Sequence, residues 1–174
     1  MKATYVKPLL VLTVICLVVS AALAFMNSIT APVIGSAADE RTQEVMTAKI
    51  PDAAGFEPVN LDGIDGLPSS IVEIYRTTNS IGYILIAAVN GFSGDITVIC
   101  AVDPDGRIMS CSTLSHTETR GIGTIIEQES FLGPFAGLDN SLDGIDTVTG
   151  ATISTRAFIH AINDILIAFE MVKD

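Results

Sequence analysis

The sequence predicts an α+β protein: a single N-terminal transmembrane helix, then one domain in which a mainly antiparallel sheet is covered by helices. Three observations predict it. An uncharged apolar run occupies residues 8–26. Four segments rich in β-branched residues follow one another between residues 70 and 114, separated by turn residues. From Ser154 onward, apolar positions recur at three- and four-residue steps, the period of a helix with one buried face.

The apolar run, PLLVLTVICLVVSAALAFM, carries no charge, and 16 of its 19 residues are apolar. At about 1.5 Å per residue a helix of this length spans roughly 30 Å, the thickness of a bilayer core. Lys2 and Lys7 precede it and Asp39 and Glu40 follow. The positive-inside bias therefore predicts a single-pass protein of the inner or cytoplasmic membrane, with its N-terminus cytoplasmic and its body extracytoplasmic. Residues 1–34 are read as the anchor and the start of a stalk, with membrane lipid as partner, and residues 35–174 as the extracytoplasmic domain. Ala22-Leu23-Ala24 is the alternative, an AxA-like processing site that would make the run a cleavable signal.

Asn27 to about Ala38 reads as a stalk and Asp39–Ala48 as a short helix. The prolines and glycines of residues 51–70 read as a long connection. Strands are expected over 70–76, 82–89, 95–102 and 106–114. Gly91 and Gly94 mark one tight connection, and Asp103-Pro104-Asp105-Gly106 makes a strong turn before the last strand, so an antiparallel meander is the natural arrangement. The last helix, Ser154 to about Val172, can cover that sheet, with Ser154 or Thr155 as N-cap.

The chain has 20 acidic and 9 basic residues, a net charge of -11, and no basic cluster. This excludes a nucleic-acid partner. Cysteines stand at 16, 100 and 111. Cys100 and Cys111 are read either as one disulfide across neighbouring strands or as buried free thiols. No metal site or CxxC redox pair can be built from the three.

Asp146-Thr147-Val148-Thr149-Gly150-Ala151-Thr152 crowds small and hydroxyl residues into a turn that opens onto the last helix. A helix N-terminus with open amide groups favours an anion such as phosphate. Arg156 in the first turn is either an added donor or a solvated salt-bridge partner. Without further knowledge the segment is an N-capped helix able to bind an anion.

Asp146-x-x-Thr149-Gly150-Ala151-Thr152 resembles the flavinylation motif of FMN-binding domains, in which the last threonine receives FMN through a phosphoester bond made by a flavin transferase. The resemblance is most specific to the G subunit of the Rnf electron-transport complex and to its relative, the C subunit of the sodium-pumping NADH:quinone reductase. It implies Thr152 as the attachment residue, with Thr149, Gly150 and Ala151 around it. Leu114-Ser115-His116-Thr117-Glu118-Thr119-Arg120-Gly121-Ile122-Gly123 resembles a second family pattern, although the family usually has proline where this chain has Arg120. It implies that Glu118 and Thr119 hydrogen-bond the flavin and that Gly121 and Gly123 let the backbone approach it. His116 is expected to satisfy a backbone group instead. Asn27-Ser28-Ile29-Thr30-Ala31-Pro32 after the anchor also resembles the Rnf G subunit.

Asp139-x-Ser141-x-Asp143-Gly144 begins like a calcium loop, but its twelfth position is Gly150 where a bidentate glutamate is needed. No nucleophile elbow supports a hydrolase triad. His160 belongs to the polar side of the last helix. The resemblance implies no catalytic residue and no metal, but an electron-transfer subunit with covalently bound FMN. Its partners would be the other membrane and iron-sulfur subunits of an Rnf-type complex, whose electron flow is coupled to ion movement. The competing reading is an anchored extracytoplasmic binding or assembly module without flavin.

Overall fold

The computed structural model describes residues 3–139 and 141–173. Lys2, one of the bases ahead of the apolar run, lies outside the described residues, as does Asn140. Helix α1 spans Ala3–Lys49. Within it, Pro8–Ser28 is long and apolar enough to cross a membrane, with a mean hydropathy of 2.9 and none of it buried.

The helix also runs through 27–38, where a stalk is expected, and absorbs the short helix expected at 39–48. Pro32 and Gly35 suggest a break there. A helix already nucleated upstream propagates through residues of modest propensity, however, and here it continues although the proline removes one backbone hydrogen bond and crowds the carbonyl four residues back. The chain divides into two compact units, residues 1–43 and 44–174.

The second unit holds one five-stranded sheet: β1 (Phe56–Pro58), β2 (Ile71–Thr77), β3 (Tyr83–Asn90), β4 (Asp95–Val102) and β5 (Ile108–His116). The strands pair antiparallel in chain order, which is the expected meander. β1 falls inside the expected connection. It has only three residues and ends on a proline, which an edge strand tolerates, so it leaves no alternating pattern to read.

Alternation sorts the strands onto two faces. Leu85, Ala87, Ile96, Val98, Cys100 and Val102 face helix α3 (Thr152–Val172), whose Phe158, Ala161, Ile162, Ile165 and Phe169 are fully buried among them. On the opposite face Ile84, Ile86, Ile99 and Ala101 pack with Met46 near the end of α1 and with Ile50 just after it. Burial on both faces explains why YILIAAV in β3 is apolar almost without interruption.

A 3-10 turn (Gly123–Glu127), the short helix α2 (Glu129–Leu132) and a second 3-10 turn (Gly133–Phe135) follow β5. Phe131 and Phe135 from this segment meet Phe158 of α3 edge to face, with ring centroids 5.4 to 5.5 Å apart. This geometry adds quadrupole attraction to simple burial. It ties the segment after β5 to the helix that carries the TGAT turn.

The N-terminus of α3 differs from expectation. The helix starts at Thr152 after Ala151, and no side chain caps it. The hydroxyls expected to cap it are used elsewhere: Ser154 donates to Glu118, and Thr155 donates to the Ala151 carbonyl while accepting from Val148 N–H. Cys100 and Cys111 are both buried, and the structure holds no bond between them.

Phe158→Ala should cost about 3–5 kcal/mol, because it removes the ring at the centre of the aromatic cluster and leaves a cavity. Val72→Ala, at a position 51% exposed, should change stability by about 0.5 kcal/mol or less. Denaturant unfolding of both variants checks the contrast, and equal effects would contradict this assignment of the core.

Candidate functional site: a cleft at the start of α3

The turn before α3 closes on Val148. Ala151 N–H donates to the Val148 carbonyl at 3.0 Å, and the Thr152 hydroxyl reaches the same oxygen at 3.4 Å. Gly150 sits at φ +89°, and a Cβ there would meet nothing within 4 Å. Glycine is therefore required by the left-handed backbone and not by crowding. Thr152 becomes the first residue of the helix, half-buried, and among the described residues its hydroxyl is held only by that one long hydrogen bond.

Thr152 lies on the wall of a cleft of about 350 Å³, with Gly150, Ala151, Ile153 and Ser154 beside it. The rest of the lining comes from the β3–β4 turn (Phe92) and from the segment after β5 (Glu118, Thr119, Ile122 and Gly123). Three stretches far apart in sequence converge here, and Glu118 joins them. Its carboxylate accepts from Phe92 N–H at 2.7 Å, Ser93 N–H at 3.0 Å and the Ser154 hydroxyl at 2.5 Å. The residue is only 6% exposed.

Two glycines make room for this carboxylate. A Cβ on Gly91 would strike Glu118 Oε1, and one on Gly123 would lie 2.6 Å from Glu118 Oε2 and 3.1 Å from the Ser154 hydroxyl. Close to this brace, His116 Nδ1 accepts from Glu118 N–H at 3.1 Å while Nε2 meets Glu127 at 2.9 Å. His116 thus satisfies a backbone group. Burial pushes the Glu118 carboxyl up, but the hydrogen bonds from Ser154, Ser93 and Phe92, with His116 nearby, outweigh it and hold the group below the usual carboxylate value.

Of the residues singled out from sequence, Thr152, Gly150, Ala151, Glu118, Thr119 and Gly123 line the cleft. Thr149 and Gly121 are exposed and stand outside its lining. Gly121 takes φ +78° at the turn, and its N–H donates to the Thr124 hydroxyl. Thr119 pairs with the Ser93 hydroxyl at 3.3 Å, a second link between the same segments.

Sequence reasoning missed Phe92, Ile122 and Ile153, which are 66%, 55% and 54% exposed at the rim of the cleft. Each is a large apolar residue beside a turn glycine or a helix start, where no core periodicity would bury it. That mismatch was the available signal. Arg156 and His160 line an adjoining cleft, which shares Ile153 with the first, together with Ser70 and Asn90, and His160 meets Asp164 at 3.3 Å. Among the described residues no group of three or more His, Cys, Asp or Glu side chains could hold a metal.

Glu118→Ala would leave two amide hydrogens and one hydroxyl without their acceptor, so a loss on the order of 3 kcal/mol is expected. Glu118→Gln, which keeps a carbonyl for the turn amides, should lose less. A depressed folded-state pKa contributes stability above the unfolded value, roughly 4.3 for glutamate, and that contribution disappears as pH falls through the folded value. Unfolding free energies followed into acid should therefore drop more steeply for the wild type than for Glu118→Gln, and parallel curves would count against the brace.

The family model described as FMN-binding domain matches residues 91–167, the span from the β3–β4 turn into α3. The G subunit of the ion-translocating oxidoreductase complex of Methanosarcina acetivorans is 30% identical over 169 residues, covering 90% of each chain. The G subunit of the proton-translocating ferredoxin:NAD(+) oxidoreductase complex of Clostridium ljungdahlii is 27% identical, covering 88% of this chain and 85% of that one. The crystal structure of Shewanella oneidensis NqrC matches 71% of this chain and 70% of its own at 17% identity, with a TM-score of 0.49. The chain therefore belongs to the FMN-binding-domain family that includes the G subunits of the ion-translocating oxidoreductase complexes.

Proposed function

We propose that this chain is an electron-transfer subunit of an Rnf-type membrane complex, carrying FMN as a phosphoester on Thr152 and supporting redox-driven ion translocation. The observation that carries this reading is the position of Thr152 at the start of α3, on the wall of the cleft, within Asp146-x-x-Thr149-Gly150-Ala151-Thr152.

The residues present suit the group. No side chain caps α3, so its first-turn amides and the positive end of its dipole are available to a phosphate. The Thr152 hydroxyl has only a long hydrogen bond to give up when its oxygen bonds to phosphorus. Phe92, Ile122 and Ile153 give the mouth of the cleft an apolar rim suited to a flat aromatic ring. Bound FMN supplies reversible electron acceptance and donation. The protein's own part is to hold the phosphate end, to keep the turn and helix in register through Glu118, and to leave the rim accessible to neighbouring redox subunits.

The related subunits belong to ion-translocating oxidoreductase complexes, and this chain would work among the membrane and iron-sulfur subunits of such an assembly. A flavin transferase would load it. The apolar helix anchors it in the cell membrane, with Lys2 and Lys7 on the cytoplasmic side and residues 35–174 outside. Covalent attachment keeps the flavin from diffusing away in that compartment.

Full-length protein made with the transferase should be yellow and heavier by one FMN ester, and Thr152→Ala should lose both properties while remaining folded. Intact mass and visible absorption read the outcome. An unmodified wild type would favour the anchored binding module without flavin. Protease added to intact spheroplasts should digest the domain, whereas protection would refute the outward topology.

A further inference from the structure

Cys100 and Cys111 take no part in the cleft, yet the sheet makes them direct register partners across β4 and β5. Both belong to the cluster beneath α3, at 0% and 7% exposure. Partners on antiparallel strands have Cα atoms about 4.5 or 5.5 Å apart, according to whether the pair is hydrogen-bonded. Either separation falls within the range of roughly 4.4–6.8 Å that a disulfide spans. The pair also lies between two interruptions of the ladder, one at Thr97/Val98 and one at Ala101/Val102. Regular hydrogen bonding fixes the register of this hairpin least well on either side of the two cysteines.

We propose that Cys100 and Cys111 are joined by a cross-strand disulfide in the mature protein, pinning the β4–β5 register between the two bulges. The bond rests on the outward topology proposed above, because an oxidising compartment is needed. Its formation is thiol–disulfide exchange with an acceptor disulfide. Each cysteine loses one proton and one electron, the Cys100–Cys111 bond forms, and the acceptor's S–S bond is reduced to two thiols.

Burial also dictates when this happens. Burial, with Cys111 close by, pushes the Cys100 thiol well above its usual pKa, and burial pushes Cys111 up to about 12. Only a thiolate attacks a disulfide, so burial disfavours exchange by the folded pair. Closure is favoured before α3 covers the strands that the Asp103–Gly106 turn brings together. Thereafter it is hidden from reductants and acts as a structural staple, not a switch. Cys16, on the apolar stretch of α1, is left as the single thiol.

Trypsin separates the two cysteines, since cleavage after Arg76, Arg107 and Arg120 places Cys100 in peptide 77–107 and Cys111 in peptide 108–120. Cells carrying the full-length protein are treated with N-ethylmaleimide before lysis, and the protein is denatured in the same reagent and digested without reductant. The expected product is one linked species, lighter by two hydrogens than the sum of the two peptides and split by a reductant. Maleimide on both peptides overturns the proposal. Protease digestion of intact spheroplasts then says what falls with it: free thiols in a digestible domain overturn the disulfide alone, and free thiols in a protected domain overturn it together with the outward topology.

Discussion

A carboxylate buried away from water must find hydrogen-bond donors within the protein, and Glu118 finds them on two separate parts of the chain. Its oxygens take the amides of the β3–β4 turn on one side and the Ser154 hydroxyl of α3 on the other. Breaking either link strands an ionised group in the interior, which costs more than the link itself contributes. The positions of Phe92 and Thr152 relative to each other therefore follow from one side chain. Gly91 and Gly123 are glycine because anything larger would occupy the space of that carboxylate.

The brace works because both of its ends rest on rigid elements. The sheet is buried on its two faces, by α3 and by the end of α1, so the β3–β4 turn projects from strands that cannot shift independently. The three phenylalanines lock the segment after β5 onto α3. The cleft thus opens at the edge of a packed core, where its rim can stay apolar and exposed without weakening the fold.

Charge and hydropathy divide along the chain in a way that suits a tethered carrier. All 20 acidic residues but only 7 basic ones follow the apolar run, giving the body a charge of -13. An acidic body stays soluble and repels other polyanions, while the apolar helix is long enough to cross a membrane. A helix of this kind, when it is held in a bilayer, raises the effective concentration of partners in the same membrane.

Elements whose signal is local could be read from the order of residues. The apolar run, the four long strands, the Asp103–Gly106 turn and the periodic last helix were all legible because period, turn chemistry and composition are properties of short windows. The TGAT turn was legible for the same reason. The remainder depends on contacts between distant segments. That Ser154 would serve Glu118 instead of capping its own helix depends on a residue 36 positions away, and no window around Ser154 contains that information. Continuity of α1 through Pro32 and the three-residue β1 likewise depend on neighbours along the helix and across the sheet, not on local propensity. Phe92, Ile122 and Ile153 form one rim only because three distant turns meet around Thr152. A cleft is made where segments converge, and convergence is set by the burial of the sheet's two faces.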